Sequence, residues 1–283
     1  MTTQIIDMRS RPSFLHDFYG ATPGTKEYDV VKWLNRRVGS KDDEHFTRSK
    51  TLKGFVKEVR ESGIHTAVVV GRDIPGIRHS NDEIHKLTSK HKELVGIGSV
   101  DPYALGSQGA AMEVERAIKT LGLKGINLEP GFASTPTHAD DPIYNPIYEV
   151  CSKLNVPVSI MSGPTTPNFD LNNPAAVGRI ARAFPNLSII CYHGFYPGVN
   201  EIIGVAFRYA NVFVVPDMYI FLPGGNLYVE AANGFMKDQI MFGSSYPFRP
   251  MAQSIKDYQK LGFRDKAMES VFSTNAKRVL KIA

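Results

Sequence analysis

The chain has 283 residues, of which 42% are hydrophobic and 22% charged, a globular composition that excludes a disordered or fibrous protein. Its 33 basic and 28 acidic residues leave a net charge of +5, but the signs are interspersed, and the basic stretch at 26–57 also holds Glu27, Asp29, Asp42, Asp43 and Glu44. Nucleic-acid binding needs a one-sided basic stripe and is not expected, whereas a small anionic ligand suits this charge.

Two cysteines, Cys151 and Cys191, make neither a disulfide framework nor a zinc or redox spacing, so both read as reduced core residues. No apolar run reaches the length of about 18 residues that spans a bilayer, and the N-terminus carries no secretory leader pattern. A soluble, cytoplasmic protein without membrane contact is expected.

In chain order, short β-branched apolar runs occur at 4–8, 66–71, 94–100, 125–129, 156–162, 188–193, 212–216 and 240–244. Amphipathic stretches separate them, at 48–62, 81–91, 108–121, 145–154, 174–183, 199–210, 227–236, 251–260 and 266–281. Strands alternating with helices predict a parallel sheet covered by helices. Eight such units, in a length near the usual 250 or so residues, predict a single-domain (β/α)8 TIM barrel spanning 1–283. The segment 13–45 fits neither periodicity. It follows the first strand, and loops there build the active-site face, so it is expected to be a lid or wall of that face, or else an ordered surface or dimer-contact loop.

Chemistry in such barrels sits at the carboxyl ends of strands. The first strand ends Ile6-Asp7-Met8-Arg9-Ser10-Arg11-Pro12, and alternation puts Arg9 and Arg11 on one side. If that side faces the mouth, the pair forms a forked receptor for a carboxylate or phosphate; otherwise one of them is an ion-pair partner of Asp7 or Glu129. Arg72 either joins the anion site or pairs with its neighbour Asp73. Glu129, sharing a side with Asn127, is a candidate general acid or base, or a counter-ion of Arg9 or Arg11.

The sixth run, Ile189-Ile190-Cys191-Tyr192-His193-Gly194, delivers a single histidine at a strand end. His193 is the leading catalytic candidate. Asp217 could orient His193, act as the base, or cap the next turn. The eighth run ends Gly243-Ser244-Ser245-Tyr246-Pro247. Ser245 could hydrogen-bond substrate, or act as nucleophile if His193 or Asp217 reaches it, and Tyr192 and Tyr246 are expected to shape the pocket. Gly54, Gly63 and Gly71 are too scattered to make a phosphate-binding fingerprint, so no nucleotide cofactor is expected.

These strand-end motifs, together with Asn275-Ala276-Lys277-Arg278-Val279-Leu280, resemble the amidohydrolase-related family that includes carboxymuconate-semialdehyde and resorcylate decarboxylases and lactone hydrolases. The family pattern is Asp-x-His-x-His-x-Pro on the first strand, a His on the fifth, His-Gly on the sixth and Gly-Ser/Thr-Asp-Tyr-Pro on the eighth. At its metal-ligand positions this chain has Arg9, Arg11, Met161 and Ser245, and it keeps only His193. In the family that histidine polarises substrate or water, or approaches the metal, and the resemblance implies the same for His193.

Arginine has no lone pair to give a metal, so the usual site is not expected. A non-standard zinc or manganese site would have to use Glu129, His193 and Asp217. The resemblance and the arginines imply a metal-independent hydrolase of a small anionic cyclic substrate, a lactone above all. A decarboxylase or hydratase, or a barrel that binds an acidic ligand without catalysis, are the alternatives. Homo-oligomerisation is compatible with all of them.

Overall fold

A computed structural model describes residues 4–20 and 22–283; Ala21, inside the expected insertion, lies outside them. The strands are β1 (Ile5–Ser10), β2 (Ile64–Val70), β3 (Asp73–Ile74), β4 (Ile77–Arg78), β5 (Leu94–Ser99), β6 (Ile126–Leu128), β7 (Val158–Ile160), β8 (Ile189–Tyr192) and β9 (Val212–Val215). Seven of them form one parallel sheet in the order β1-β2-β5-β6-β7-β8-β9, while β3 and β4 make a small antiparallel hairpin beside it. Sequential neighbours joined through helices are what the alternating pattern demands.

The eighth apolar run closes the ring without becoming a regular strand. Ile240 bridges to Val214 and Tyr246 to Ser10. Met241 N donates to Val214 O at 2.9 Å and Met8 N to Phe242 O at 3.0 Å. Regular pairing stops because Phe242 N donates instead to Val271 O at 2.8 Å, and because Ser245 turns to φ 59°. Val271 lies in a π turn, Ser270–Thr274, which divides the expected helix 266–281 into Asp265–Glu269 and Asn275–Leu280. Gly243 is required by close approach, since a Cβ there would sit 2.7 Å from Val215 Cγ1 and 3.2 Å from both the Arg9 and Asp217 Cβ atoms.

Alternation sorts the strand side chains into two layers. Ile6, Met8, Val68, Val70, Ile190 and Tyr192 share an inner apolar cluster with Ala276, Val279 and Leu280 of the last helix. Ala67, Val69, Leu128, Ile160, Cys191 and Val214 belong to the larger cluster that packs against the helices. Both cysteines are free and buried.

The insertion is largely helical, contrary to its lack of periodicity. It contains 3-10 turns at Ser13–Leu15 and Asp17–Tyr19, then helix α1 (Lys26–Arg37) and a short helix Glu44–Arg48. Thr25 caps α1 by accepting from Tyr28 N at 3.2 Å, while only Val31 and Asn35 of α1 are buried. Its buried face is this narrow stripe. It is nevertheless fastened to the barrel mouth: Val31, Val38 and Phe46 cluster with Met218, Tyr219 and Phe248. Asn35 Nδ2 donates to Phe248 O at 2.9 Å, and Arg249 reaches Val38 O. Among the described residues no helix is long and apolar enough to cross a membrane.

Candidate active site

A cavity of about 280 Å³ opens at the strand carboxyl ends. Arg9, Arg11, Arg72 and His193 reach it from the barrel. Phe18, Val30, Trp33 and Leu34 of the insertion form a wall of it.

The register of β1 against β2 shifts between Asp7 and Ser10. This irregularity lets Met8 point into the inner cluster while Arg9 points into the cavity. Asp7 anchors the turn of chain. Its Oδ1 accepts from Arg9 N at 3.0 Å and Ser244 N at 2.8 Å, and its Oδ2 accepts from Ser244 Oγ at 2.5 Å. Burial pushes the Asp7 carboxyl up to about 6 despite those bonds, because an unpaired carboxylate is poorly solvated there. This strut joining the first and last strand segments was not foreseen from the sequence; the polar Ser244 directly after Gly243 was the available signal.

Arg9 is 2% exposed and has no carboxylate partner among the described residues. Its Nη2 lies 3.3 Å from His193 Nε2 and 3.6 Å from Met161 Sδ, and its guanidinium lies over the Tyr192 ring at 5.6 Å. Nε and Nη1 meet no acceptor among the described residues. Burial first, and then the neighbouring Arg11, pull its pKa down to about 10, which still leaves it cationic at neutral pH.

Arg11 and Arg72 differ from it. Arg11 Nε donates to Val70 O at 2.9 Å and its Nη2 to Glu129 Oε1 at 2.9 Å, and Arg72 Nε donates to Glu129 Oε2 at 2.8 Å. Arg72 therefore pairs with Glu129 and lines the same cavity as Arg9 and Arg11, while Asp73 pairs with Arg78 at 3.1 Å. Asn127 Nδ2 adds a bond to Glu129 Oε1 at 3.0 Å. Burial alone would raise the Glu129 pKa, but Arg72, Arg11 and Arg9 hold it below the ordinary value. Glu129 thus stands as an ionised counter-ion shared by two arginines, with both oxygens engaged, and not as the free general acid or base that its strand-end position suggested.

His193 sits at φ 61°, Asp217 at φ 44° and Ser245 at φ 59°, so three successive strand ends place non-glycine residues in the left-handed region. Such conformations cost of order 1–3 kcal/mol each and persist where surrounding structure imposes them. Here they aim His193 and Asp217 at one another: Nδ1 lies 2.9 Å from Asp217 Oδ1 and 2.8 Å from Oδ2. Asp217 also accepts from Met218 N at 2.6 Å, so its orienting and turn-capping roles coexist. Burial, opposed by Asp217 and reinforced by Arg9 and Arg11, lowers the His193 pKa. The partners assign a neutral ring that donates from Nδ1 and accepts at Nε2.

Three candidate residues lie elsewhere. Tyr192 is buried beneath Arg9 and donates to Met8 O at 2.8 Å, so it supports the floor without lining the cavity. Tyr246 points into the outer layer, donating to His45 O at 2.9 Å beside Phe55. Ser245 is fully buried with an Oγ that meets no partner, and it is not among the cavity-lining residues. Met161 does line the cavity, in keeping with the family position assigned to it.

The alternative metal set also fails to converge. Glu129 faces Arg11 and Arg72, Asp217 faces His193, and the Arg9 guanidinium stands next to the one free imidazole nitrogen. Among the described residues, no three His, Cys, Asp or Glu side chains gather as a cation site. A divalent ion there would be repelled by Arg9, so this donor set does not fit one.

A closed (β/α)8 barrel with titratable side chains gathered at its strand ends has the build of a barrel enzyme. The chain belongs to the amidohydrolase family, whose model matches residues 59–282. Comparison with curated proteins finds none that matches. Among solved structures it is similar to an uncharacterised TIM-barrel protein from Bordetella bronchiseptica, at 32% identity, 98% coverage of each chain and a TM-score of 0.89. It shares its fold with a 5-carboxyvanillate decarboxylase from Sphingomonas paucimobilis, at 15% identity, 100% coverage of both chains and a TM-score of 0.69. The same holds for a dihydroxybenzoic acid decarboxylase from Polaromonas, described with bound manganese and 2-nitroresorcinol, at 16% identity, 99% and 97% coverage and a TM-score of 0.69.

Proposed function

We propose that this chain is an enzyme that decarboxylates a small carboxylated ring compound, with His193 as its proton-transfer group and Arg9 as its principal anion contact. One observation carries this reading: a buried, unpaired guanidinium with two unmatched donors stands beside the accepting nitrogen of an Asp-oriented histidine. A buried cation without a counter-ion is costly, and an anionic substrate group supplies what is lacking.

The remaining walls favour loss of carbon dioxide over attack by water. Phe18, Trp33, Phe132, Met161 and Phe248 accept a flat ring but offer little to order a nucleophilic water, and desolvation raises the energy of a carboxylate that is about to be lost. The fold-sharing decarboxylases act, by their descriptions, on hydroxylated aromatic acids, and a ring hydroxyl suits His193. Nε2 accepts the hydroxyl proton, and Arg9 stabilises the oxyanion. The proton is then delivered to the ring carbon that bears the carboxylate. The carbon–carbon bond breaks, its electron pair returns to the ring, carbon dioxide leaves, and the ring oxygen regains a proton from water. General acid–base action of this kind contributes about 10²–10⁴-fold.

Lactone hydrolysis is the second reading. It is favoured by the Asp217–His193 contact, which leaves Nε2 as a base able to activate water, with Arg9 at the oxyanion. Incubation with hydroxybenzoic acids and with lactones in deuterium oxide separates the two. Decarboxylation releases carbon dioxide and leaves one deuterium on the vacated ring carbon; ring opening without carbon dioxide selects hydrolysis. Inertness towards both classes would overturn the proposal.

A further inference from the structure

Three guanidinium groups face the cavity and one carboxylate answers them. Arg9, Arg11 and Arg72 line it, and Glu129 bonds the latter two. The other nearby acids are turned elsewhere: Asp217 towards His193 and Asp7 towards Ser244 and Arg9 N. His193 is neutral by its hydrogen bonds, so the facing groups sum to three positive charges against one negative.

The surplus is divided between two places. Arg9 holds one part next to the reacting imidazole. The other belongs to the Arg11–Glu129–Arg72 triad, in which Arg72 spends Nε on Glu129 while its guanidinium carbon lies 5.6 Å from the Phe18 ring and 5.4 Å from the Phe132 ring. Two aromatic faces thus fix the plane of a guanidinium whose terminal nitrogens are not committed to Glu129. A single carboxylate on the substrate would satisfy one of these places and leave the other uncompensated in an apolar enclosure.

We infer that the substrate is a dianion, a ring carrying two carboxylates, one received at Arg9 beside His193 and the other anchored by the Arg11–Arg72 pair. This rests on the anion-site reading proposed above but not on the reaction assigned to it. Two positive subsites held by different strands measure the separation between the anionic groups, so specificity arises from that span and from charge number together.

Equilibrium binding of benzoate, phthalate, isophthalate and terephthalate at fixed ionic strength, by calorimetry, tests it without any turnover. One of the three dicarboxylates should bind at least about tenfold tighter than benzoate, the gain expected from one more charge-assisted contact. In Arg72→Gln, checked for folding by circular dichroism, that advantage should shrink to within about threefold of unity. If benzoate binds and no dicarboxylate binds better, the dianion inference is overturned and the anion-site reading stands. If the advantage persists in Arg72→Gln, the second anchor is misplaced and the inference also falls. If none of the four binds, both readings fail.

Discussion

Nη2 of Arg9 lies 3.3 Å from Nε2 of His193, with Asp217 on the opposite ring nitrogen. A cation facing Nε2 disfavours a second proton there, while the aspartate holds the first proton on Nδ1. The relationship makes His193 an acceptor at rest, and it makes Arg9 the group that must move or share when substrate arrives.

His193→Ala should abolish turnover, and Asp217→Asn should lower kcat by about two to four orders of magnitude, as expected when the ring loses its fixed tautomer. Because the His193 pKa is lowered from 6.5, wild-type rate should hold through pH 6.5 and fall only below it, as Nε2 is protonated. The stability term has the same sense: it is fully present above 6.5 and is lost as pH falls towards the folded-state value. Steady-state pH profiles check this, and an acid limb above 6.5 would contradict it.

Arg9→Met and Arg11→Met should separate. Arg9 has no carboxylate partner, so its replacement should weaken anion binding about ten- to hundredfold with an almost unchanged urea midpoint. Arg11 shares Glu129 and donates to Val70 O, so its replacement should cost stability as well. Calorimetric titration beside urea denaturation of both variants tests the contrast; equal midpoints would refute it.

Glu129→Gln leaves two buried guanidinium groups with no charge between them and should destabilise by about 3–5 kcal/mol. An added ring dicarboxylate should recover part of that loss by binding the native state. Were Glu129 the reacting acid or base, the variant would instead keep its denaturation midpoint and lose kcat.

Asp7 supplies a pH signature of its own. Its pKa is raised to about 6 from 3.8, so the folded state binds the proton more tightly than the unfolded chain. The associated stability is fully present below 3.8 and is lost as pH rises through 6, a change of roughly 3 kcal/mol. Asp7→Asn should remove this term while keeping an acceptor for Arg9 N. Its stability relative to wild type should therefore climb between pH 4 and 7; parallel urea midpoints across that window would rule the account out.

Much of this molecule is written in local sequence. Strands β1, β2, β5, β6, β7, β8 and β9 lie within or overlap seven of the eight apolar runs, because a buried parallel strand needs a continuous β-branched stretch that is visible without its neighbours. Asn81-Asp82-Glu83 marks a helix start that the structure completes with a capping box from Ser80. The convergence of Arg9, Arg11, Arg72 and His193 follows from strand order alone, since every carboxyl end in a parallel barrel meets one mouth.

What pairs with what is a different kind of information. Glu129 at a strand end is compatible with catalysis or with a counter-ion, and only the positions of Arg11 and Arg72 across the barrel make it the latter. Tyr246 follows the eighth run as a pocket residue would, yet after the left-handed backbone at Ser245 it packs outward against His45 and Phe55. Inside the insertion α1 buries only Val31 and Asn35, and its place at the mouth is set by packing against Met218, Tyr219 and Phe248. Sequence by itself determined the barrel, its helical sheath and the arrival of Arg9, Arg11, Arg72 and His193 at the mouth, since these depend on periodicity and chain order. Tertiary structure alone decided their partners, because hydrogen bonds and ion pairs between strands far apart in the chain depend on ångström distances that no local pattern encodes.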